Sequence, residues 1–311
     1  PMPMSSEFSQ RLNPILDDIA NHFGTPFHIY DEKGIRENAR AFNRYFQTPE
    51  GFREYFAVKA LPNRRILEIM ASEGLGFDCS SIPELVLARM VGASQNDIMF
   101  TSNNTTVEEF TAARAQGGCI LNLDDISLIA KLVPFPDRIC FRYNPGARRT
   151  GNAIIGNPVE AKYGVSHEQI VEAYRIARQR GATRFGLHTM VASNELDYRQ
   201  IAETNRMLLE IAQMVGHELK IRFEFLNIGG GIGIPYQPDQ PAFDFDALSR
   251  DIRRDFDCFR QAQGYAPQLY MECGRCLTGP HGVLVTRVIN HKEIYRRYVG
   301  VDACMSALMR P

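Results

Sequence analysis

Tyr55-Phe56-Ala57-Val58-Lys59-Ala60-Leu61-Pro62-Asn63 is an apolar run that meets a lysine and then a proline. It reads as a buried β-strand over 54–58, ended by Pro62. An ammonium at the carboxyl end of a buried strand is costly to desolvate. It is well suited to chemistry, because burial lowers its pKa and frees the amine to attack a carbonyl. The alternative is a rim lysine whose stem packs while its head stays in water. The sequence on either side bears on the choice.

Outward from this strand, strand-like and helix-like segments alternate. Further strands are predicted over 75–78, 97–101, 119–123, 138–143, 184–188, 223–228 and 268–272. Apolar residues at three and four spacing predict helices between them, over 66–71, 83–91, 107–115, 169–178, 201–214 and 245–261. The gaps have the length of a crossover helix with its turns. Eight such alternations over roughly 220 residues suggest an α/β chain folded as a (β/α)8 barrel. A doubly wound open sheet is the alternative. Residues 27–30 precede the barrel as an extra strand, and 282–289 and 298–301 follow it. These flanking strands are expected to find no sheet to complete within this chain.

Composition limits the functions available. The chain has 311 residues, 44% hydrophobic and 23% charged, with a formal net charge of −1. Such a balance carries no electrostatic footprint for nucleic acid or an anionic membrane. No apolar run reaches the roughly 18 residues that span a bilayer, and the N-terminus lacks the pattern of a signal peptide. Seven scattered cysteines, an odd number, predict reduced thiols and a cytoplasmic location. Cys273-Gly274-Arg275-Cys276 has C-x-x-C spacing. It lacks the second ligand pair of a zinc site, and a strand rather than a helix N-terminus is expected before it. No metal is therefore assigned.

In a (β/α)8 barrel the active site lies at the carboxyl ends of the strands. Those positions hold Lys59, Asp78 with Ser80, Ser102 with Asn103, Asn144, His188, Gly229-Gly230-Gly231 and Glu272. Glycines let the backbone approach an anion and aim successive N–H groups at it, so the triplet suits a phosphate. A tight turn needing positive φ is the plainer reading. The run is neither a dinucleotide fingerprint nor a Walker loop. Glu272 suits a pyridinium nitrogen, which a buried carboxylate keeps protonated. It could equally form a structural pair with Arg275.

Together these residues resemble the alanine-racemase-type, fold-type III decarboxylases that use pyridoxal 5'-phosphate (PLP), and within them the diaminopimelate decarboxylase family. The matching pieces are Phe56-Ala57-Val58-Lys59-Ala60, Phe77-Asp78-Cys79-Ser80-Ser81, Arg142-Tyr143-Asn144-Pro145-Gly146, Ala161-Lys162-Tyr163-Gly164, Gly186-Leu187-His188, Gly229-Gly230-Gly231 with Pro235-Tyr236, Glu272-Cys273-Gly274-Arg275, and Val301-Asp302-Ala303 with Leu308-Met309-Arg310-Pro311. The resemblance implies a barrel of the alanine racemase type, and decarboxylation of meso-diaminopimelate to L-lysine through a Lys59 Schiff base. It places Lys59, Asp78, His188, Ser193, Gly229, Gly230, Gly231, Glu272 and Arg275 around the cofactor. Within that set, Ser193 and the glycines would hold the phosphate and Glu272 would contact the pyridine nitrogen. Arg275 and Arg310 would bind the substrate's distal carboxylate, a task suited to the guanidinium fork.

The resemblance also implies domains. Residues 1–30 would be an N-terminal segment and strand associated with a β-domain, 31–278 the PLP-binding barrel, and 279–311 the start of that β-domain. Three departures stand out. The family's His-x-Gly-Ser run is Met190-Val191-Ala192-Ser193 here, so either Met190 or His188 contacts the cofactor ring. Cys273 replaces a proline. The chain ends before the expected Cys-Glu-Ser motif, so it is expected to lack part of the catalytic site. The expected partners are a small amino-acid substrate and a second copy in a homodimer. The alternatives are action on carboxynorspermidine or ornithine, a racemase, or a non-catalytic PLP-binding barrel.

Overall fold

The structure, a computed structural model, describes residues 4–149 and 156–308. Its elements follow in chain order as α1 (Ser6–Leu12), α2 (Leu16–Phe23), β1 (Phe27–Tyr30), α3 (Glu32–Phe46), β2 (Phe52–Ala57), α4 (Arg64–Ser72), β3 (Gly76–Cys79), α5 (Ile82–Met90), β4 (Ile98–Ser102), α6 (Val107–Arg114), β5 (Ile120–Leu123), β6 (Arg138–Arg142), α7 (Ile170–Gln179), β7 (Arg184–His188), α8 (Tyr198–Leu219), β8 (Phe223–Asn227), α9 (Phe245–Gln263), β9 (Gln268–Met271), α10 (Arg275–Thr278), β10 (Gly282–Val285), β11 (Val288–Glu293) and β12 (Arg297–Val301). Strands β2 to β9 form a closed, all-parallel barrel, which is the expected (β/α)8 architecture and not the open sheet. Between β5 and β6 the crossover carries only a 3₁₀ turn, Ile126–Lys131.

Local sequence starts and stops these elements. Asn63 caps α4 by accepting the N–H groups of Arg65 and Ile66 at 3.0 and 3.3 Å. Thr106 and Glu109 close a reciprocal capping box at the start of α6. Gly264, at φ +70°, ends α9.

Alternation along each strand builds two cores. Phe56, Phe77, Phe100, Leu121, Phe141, Leu187, Leu226 and Met271 face outward and pack under the helices. Tyr55, Met99, Ile120, Cys140, Phe225 and Tyr270 face inward and fill the barrel's middle. The Phe225 and Tyr270 rings stack at 4.4 Å, with Gly186 beside them. One pleat further along, the inward positions are Ala57, Asp78, Thr101, Asn122, Arg142, His188, Asn227 and Glu272. Every one but Ala57 is polar, so the barrel changes from apolar to polar within one pleat at the carboxyl ends of its strands.

The flanking strands differ from the expectation that they complete nothing here. They pair with each other: β1 runs antiparallel to β10, from Phe27 opposite Val285 to Tyr30 opposite Gly282. β11 and β12 form a hairpin. The Asp31 N–H donates to the His281 carbonyl at 2.8 Å, and the Thr25 hydroxyl bonds the Asp302 carboxylate. Both strands of the β1–β10 pair lie outside the periodic barrel pattern, so sequence reading found them without their partners.

A methyl group at Gly186 would lie 2.0 Å from Cζ of Phe225, whose ring is already stacked. Gly186→Ala is expected to destabilise the fold by about 2 kcal/mol through overpacking. Urea denaturation of the purified chain measures it, and an unchanged midpoint would contradict the packing described.

Candidate active site

Strand β2 ends at Ala57, one residue sooner than expected, and Val58–Ala60 form a 3₁₀ turn. Val58 is buried, whereas Lys59 is exposed. Desolvation is therefore not what the fold imposes on this amine. Its charge nevertheless reaches inward, pulling against burial at both Asp78 and Glu272.

Glu272 directly follows β9 and is buried. Its Oε1 accepts from Nδ2 of Asn227 at 2.7 Å, and its Oε2 lies 3.0 Å from Nε2 of His188. Burial alone pushes this carboxyl upward. The charge and hydrogen bond of His188, with Lys59 and Arg142 behind them, outweigh it and hold the group below the usual carboxylate range. The structural pair with Arg275 does not form. Arg275 donates instead to the Tyr236 hydroxyl at 2.6 Å, its guanidinium 5.6 Å from that ring's centre.

Asp78 faces the same mouth and is shifted the other way. Burial raises its carboxyl well above the usual range, and Glu272 adds to this against the pull of Lys59 and Arg142. One mouth thus holds a carboxylate at Glu272 and a carboxyl that favours its neutral form at Asp78. Opposed shifts of this kind separate acceptor from donor roles.

The glycine loop is shaped by close backbone packing. Gly229 and Gly231 have φ of +73° and +94°. A Cβ at Gly230 would meet the Glu272 carbonyl oxygen at 2.2 Å, and one at Gly231 the Ala192 oxygen at 2.4 Å. The Gly229 N–H donates to Oδ1 of Asn227 at 2.9 Å, and the Gly230 N–H points at Sδ of Met190 at 3.2 Å. Positive φ at Gly229 and Gly231 and the close approach of neighbouring backbone are what require glycine here. Ser193, half-buried, lies on the adjoining β7–α8 loop, which is tied to the glycine segment by Glu195 N–H to Gly231 carbonyl at 2.8 Å. Arg310 lies outside the described residues.

Residues that sequence reading did not single out complete the ring. Arg142 sits 3.4 Å from both Oδ1 of Asp124 and the Met190 carbonyl, with its guanidinium 4.5 Å from the Tyr163 ring centre. Asn227 clamps Glu272 and the glycine turn together. Their signal was period-two phase: each lies two residues beyond an inward apolar position. Asn144, by contrast, turns aside and braces the following loop, donating to the Tyr163 carbonyl at 2.6 Å. Cys273 and Cys276 are buried free thiols; β9 runs into the motif as expected, and α10 starts between the two cysteines at Arg275. Among the described residues no group of three or more His, Cys, Asp and Glu side chains is set to hold a metal, and no helix is long and apolar enough to cross a membrane.

Three buried polar atoms around the mouth have no partner: Oδ1 of Asp78, Nδ1 of His188 and Oδ1 of Asn122. Buried polar groups ordinarily find partners, so this cluster marks a place built for a polar ligand. An exposed amine, a carboxylate held ionised and a bare-backbone glycine loop fit PLP.

Residues 32–279 match the family of the pyridoxal-dependent decarboxylase, pyridoxal binding domain. The chain belongs to that family: it is a PLP-dependent carboxy-lyase with diaminopimelate decarboxylases among its relatives. Protein TabA of Pseudomonas amygdali pv. tabaci is 43% identical over 311 residues, covering 100% of this chain and 73% of that one. Diaminopimelate decarboxylase of Methanothermobacter thermautotrophicus is 34% identical over 301 residues, 94% of this chain and 70% of that one. The solved diaminopimelate decarboxylase from M. jannaschii in complex with L-lysine superimposes with a TM-score of 0.83 at 26% identity, over 94% and 71% of the two chains.

The opposed carboxyls make a pH prediction. A carboxyl whose folded pKa is raised contributes stability that is present below its unfolded value of about 3.9 and lost as pH rises through the folded value. Asp78→Asn removes that titration. In the cofactor-free chain, the variant's unfolding free energy relative to the unaltered chain is expected to grow as pH rises from about 4 to 8. Urea titrations across that range test it, and a difference independent of pH would count against the assignment.

Proposed function

We propose that this chain takes part in the decarboxylation of meso-diaminopimelate to L-lysine, with Lys59 as the residue that binds PLP covalently. The observation that carries the reading is the Glu272 carboxylate, held ionised by His188 and bonded by Asn227 at the barrel mouth into which the charge of Lys59 extends. The relative in complex with L-lysine supports the substrate.

On this reading each residue has a physical task. Lys59, exposed on its 3₁₀ turn, presents an amine that an incoming carbonyl can reach. Glu272 would accept a hydrogen bond from the protonated ring nitrogen, and its bonds to Asn227 and His188 keep it from rotating away. Asp78, favouring its neutral form, can donate a hydrogen bond, while the partnerless Nδ1 of His188 and Oδ1 of Asn122 meet polar edges of the ligand. The Gly229–Gly231 segment and Ser193 would hold the phosphate. Met190, with its sulfur against the Gly230 N–H, packs beside the ring as a polarisable apolar group. Bound there, PLP supplies the sink for the electron pair left when CO2 departs. Arg275, steadied by Tyr236, would bind the substrate's distal carboxylate, a task the family resemblance gives to Arg310 as well. The same proposal includes a homodimer and a cytoplasmic location, the latter supported by seven free cysteines.

A second reading keeps the reaction and changes the substrate to another carboxylated amine. It is kept because TabA, 43% identical against 34% for a diaminopimelate decarboxylase, does not bear the name of that enzyme.

Two experiments bear on these assignments. Adding PLP to the unaltered chain is expected to produce a visible absorbance band that is absent in Lys59→Ala; an equal band in both would remove Lys59 from its role. Assayed in the full-length protein, CO2 release from meso-diaminopimelate is expected to exceed release from ornithine or carboxynorspermidine by about a hundredfold or more. A preference for either other amine would replace the proposed substrate.

A further inference from the structure

One buried acid has no task in the chemistry above. Glu54 lies on β2 next to Tyr55, which faces the barrel interior, so Glu54 faces outward into the layer beneath α10. It is 1% exposed. Burial drives its carboxyl well above the usual range; the Cys276 thiol, Glu272 and Asp78 push the same way, and the Cys273 amide pulls against them. An acid in this position is costly, and neither Lys59 nor the glycine loop bonds to it.

Its contacts are specific. Oε1 of Glu54 accepts the Cys273 N–H, and Oε2 has no partner. On the other side of the same residue, the Ala57 N–H donates to the Cys273 carbonyl at 3.2 Å. β2 therefore grips both backbone polar groups of Cys273, one through its main chain and one through Glu54. Cys273 stands between Glu272 and Gly274-Arg275. Gly274 is packed so closely that a Cβ there would lie 2.5 Å from the Cβ of Ala60, the neighbour of Lys59. Here the segment bearing the lysine meets the segment bearing the glutamate.

We infer that Glu54 is a positioning residue, which acts through the Cys273 amide to keep Glu272 and Arg275 in register with Lys59. The inference rests on the PLP reading and adds a residue to it. A buried N–H at position 273 must find an acceptor. Without Glu54 the turn has to shift to satisfy that donor, and displacements of about an ångström at a supporting residue are enough to loosen a site. A proline at 273 carries no N–H and would make no such demand.

The test follows PLP binding by titrating the visible band of the bound cofactor in the 311-residue chain, with far-ultraviolet circular dichroism to confirm folding. Glu54→Leu is expected to weaken binding about tenfold or more, as an orphaned buried donor does. Glu54→Gln, which keeps an acceptor, is expected to stay within about twofold of the unaltered chain. In a Cys273→Pro background, Glu54→Leu is expected to cost nothing further. Should Glu54→Leu alone not fold, the comparison within the Cys273→Pro background decides. A Glu54→Leu chain that binds like the unaltered one overturns the inference, as does an equal loss in both backgrounds. An unaltered chain with no band overturns the cofactor reading, and this inference with it.

Discussion

A carboxylate inside a barrel mouth will take a proton unless something holds it ionised. Here burial is outweighed by the charge and hydrogen bond of His188, helped by the charges of Lys59 and Arg142, while Asn227 holds the other oxygen of Glu272 in place. The rest of the site depends on this arrangement. Asp78, lacking a partner for its Oδ1 and facing that negative charge, is driven toward its neutral form. Asn227 cannot serve Glu272 without also receiving the Gly229 N–H, so the carboxylate and the glycine turn are one assembly.

Backbone proximity is the second constraint. The loop after β8 lies against the loop after β7 and the segment after β9 so closely that side chains at Gly230 and Gly231 have no room. Close packing brings the main chain of three strand ends together around one point. It also brings Met190 over the loop, with its sulfur against the Gly230 N–H.

Much of this was legible in the residues. The alternation of segments led to eight strands and a barrel, because parallel strands buried on both faces read as short apolar runs separated by helical periods. Lys59, Asp78, His188, the glycines and Glu272 were legible as polar or glycine residues at strand ends. Other features were not. Arg142 and Asn227 were passed over because a strand end is located only to within a residue or two, while inward or outward phase requires knowing it to one. Glu54 was read as an ordinary strand residue, since nothing local shows that its carboxyl meets the Cys273 amide 219 residues along the chain. The pairing of β1 with β10 joins segments some 250 residues apart, roughly the whole barrel, and contacts at that separation leave no local pattern.

By itself the sequence determined the repeating strand–helix order, the caps that start and end the helices, and the residue types available at the barrel's carboxyl face. Those properties depend on periodicity and on neighbours within a few positions. Tertiary structure alone decided that Glu272 pairs with His188 and Asn227 rather than Arg275, that Lys59 stands exposed on a 3₁₀ turn, and that Asp78 and Glu272 are shifted in opposite directions. Each of these depends on which side chains closure of the barrel brings within a few ångströms, and on how much water it removes from between them. Electrostatics at that range is set by distance and burial, which no local stretch of chain contains.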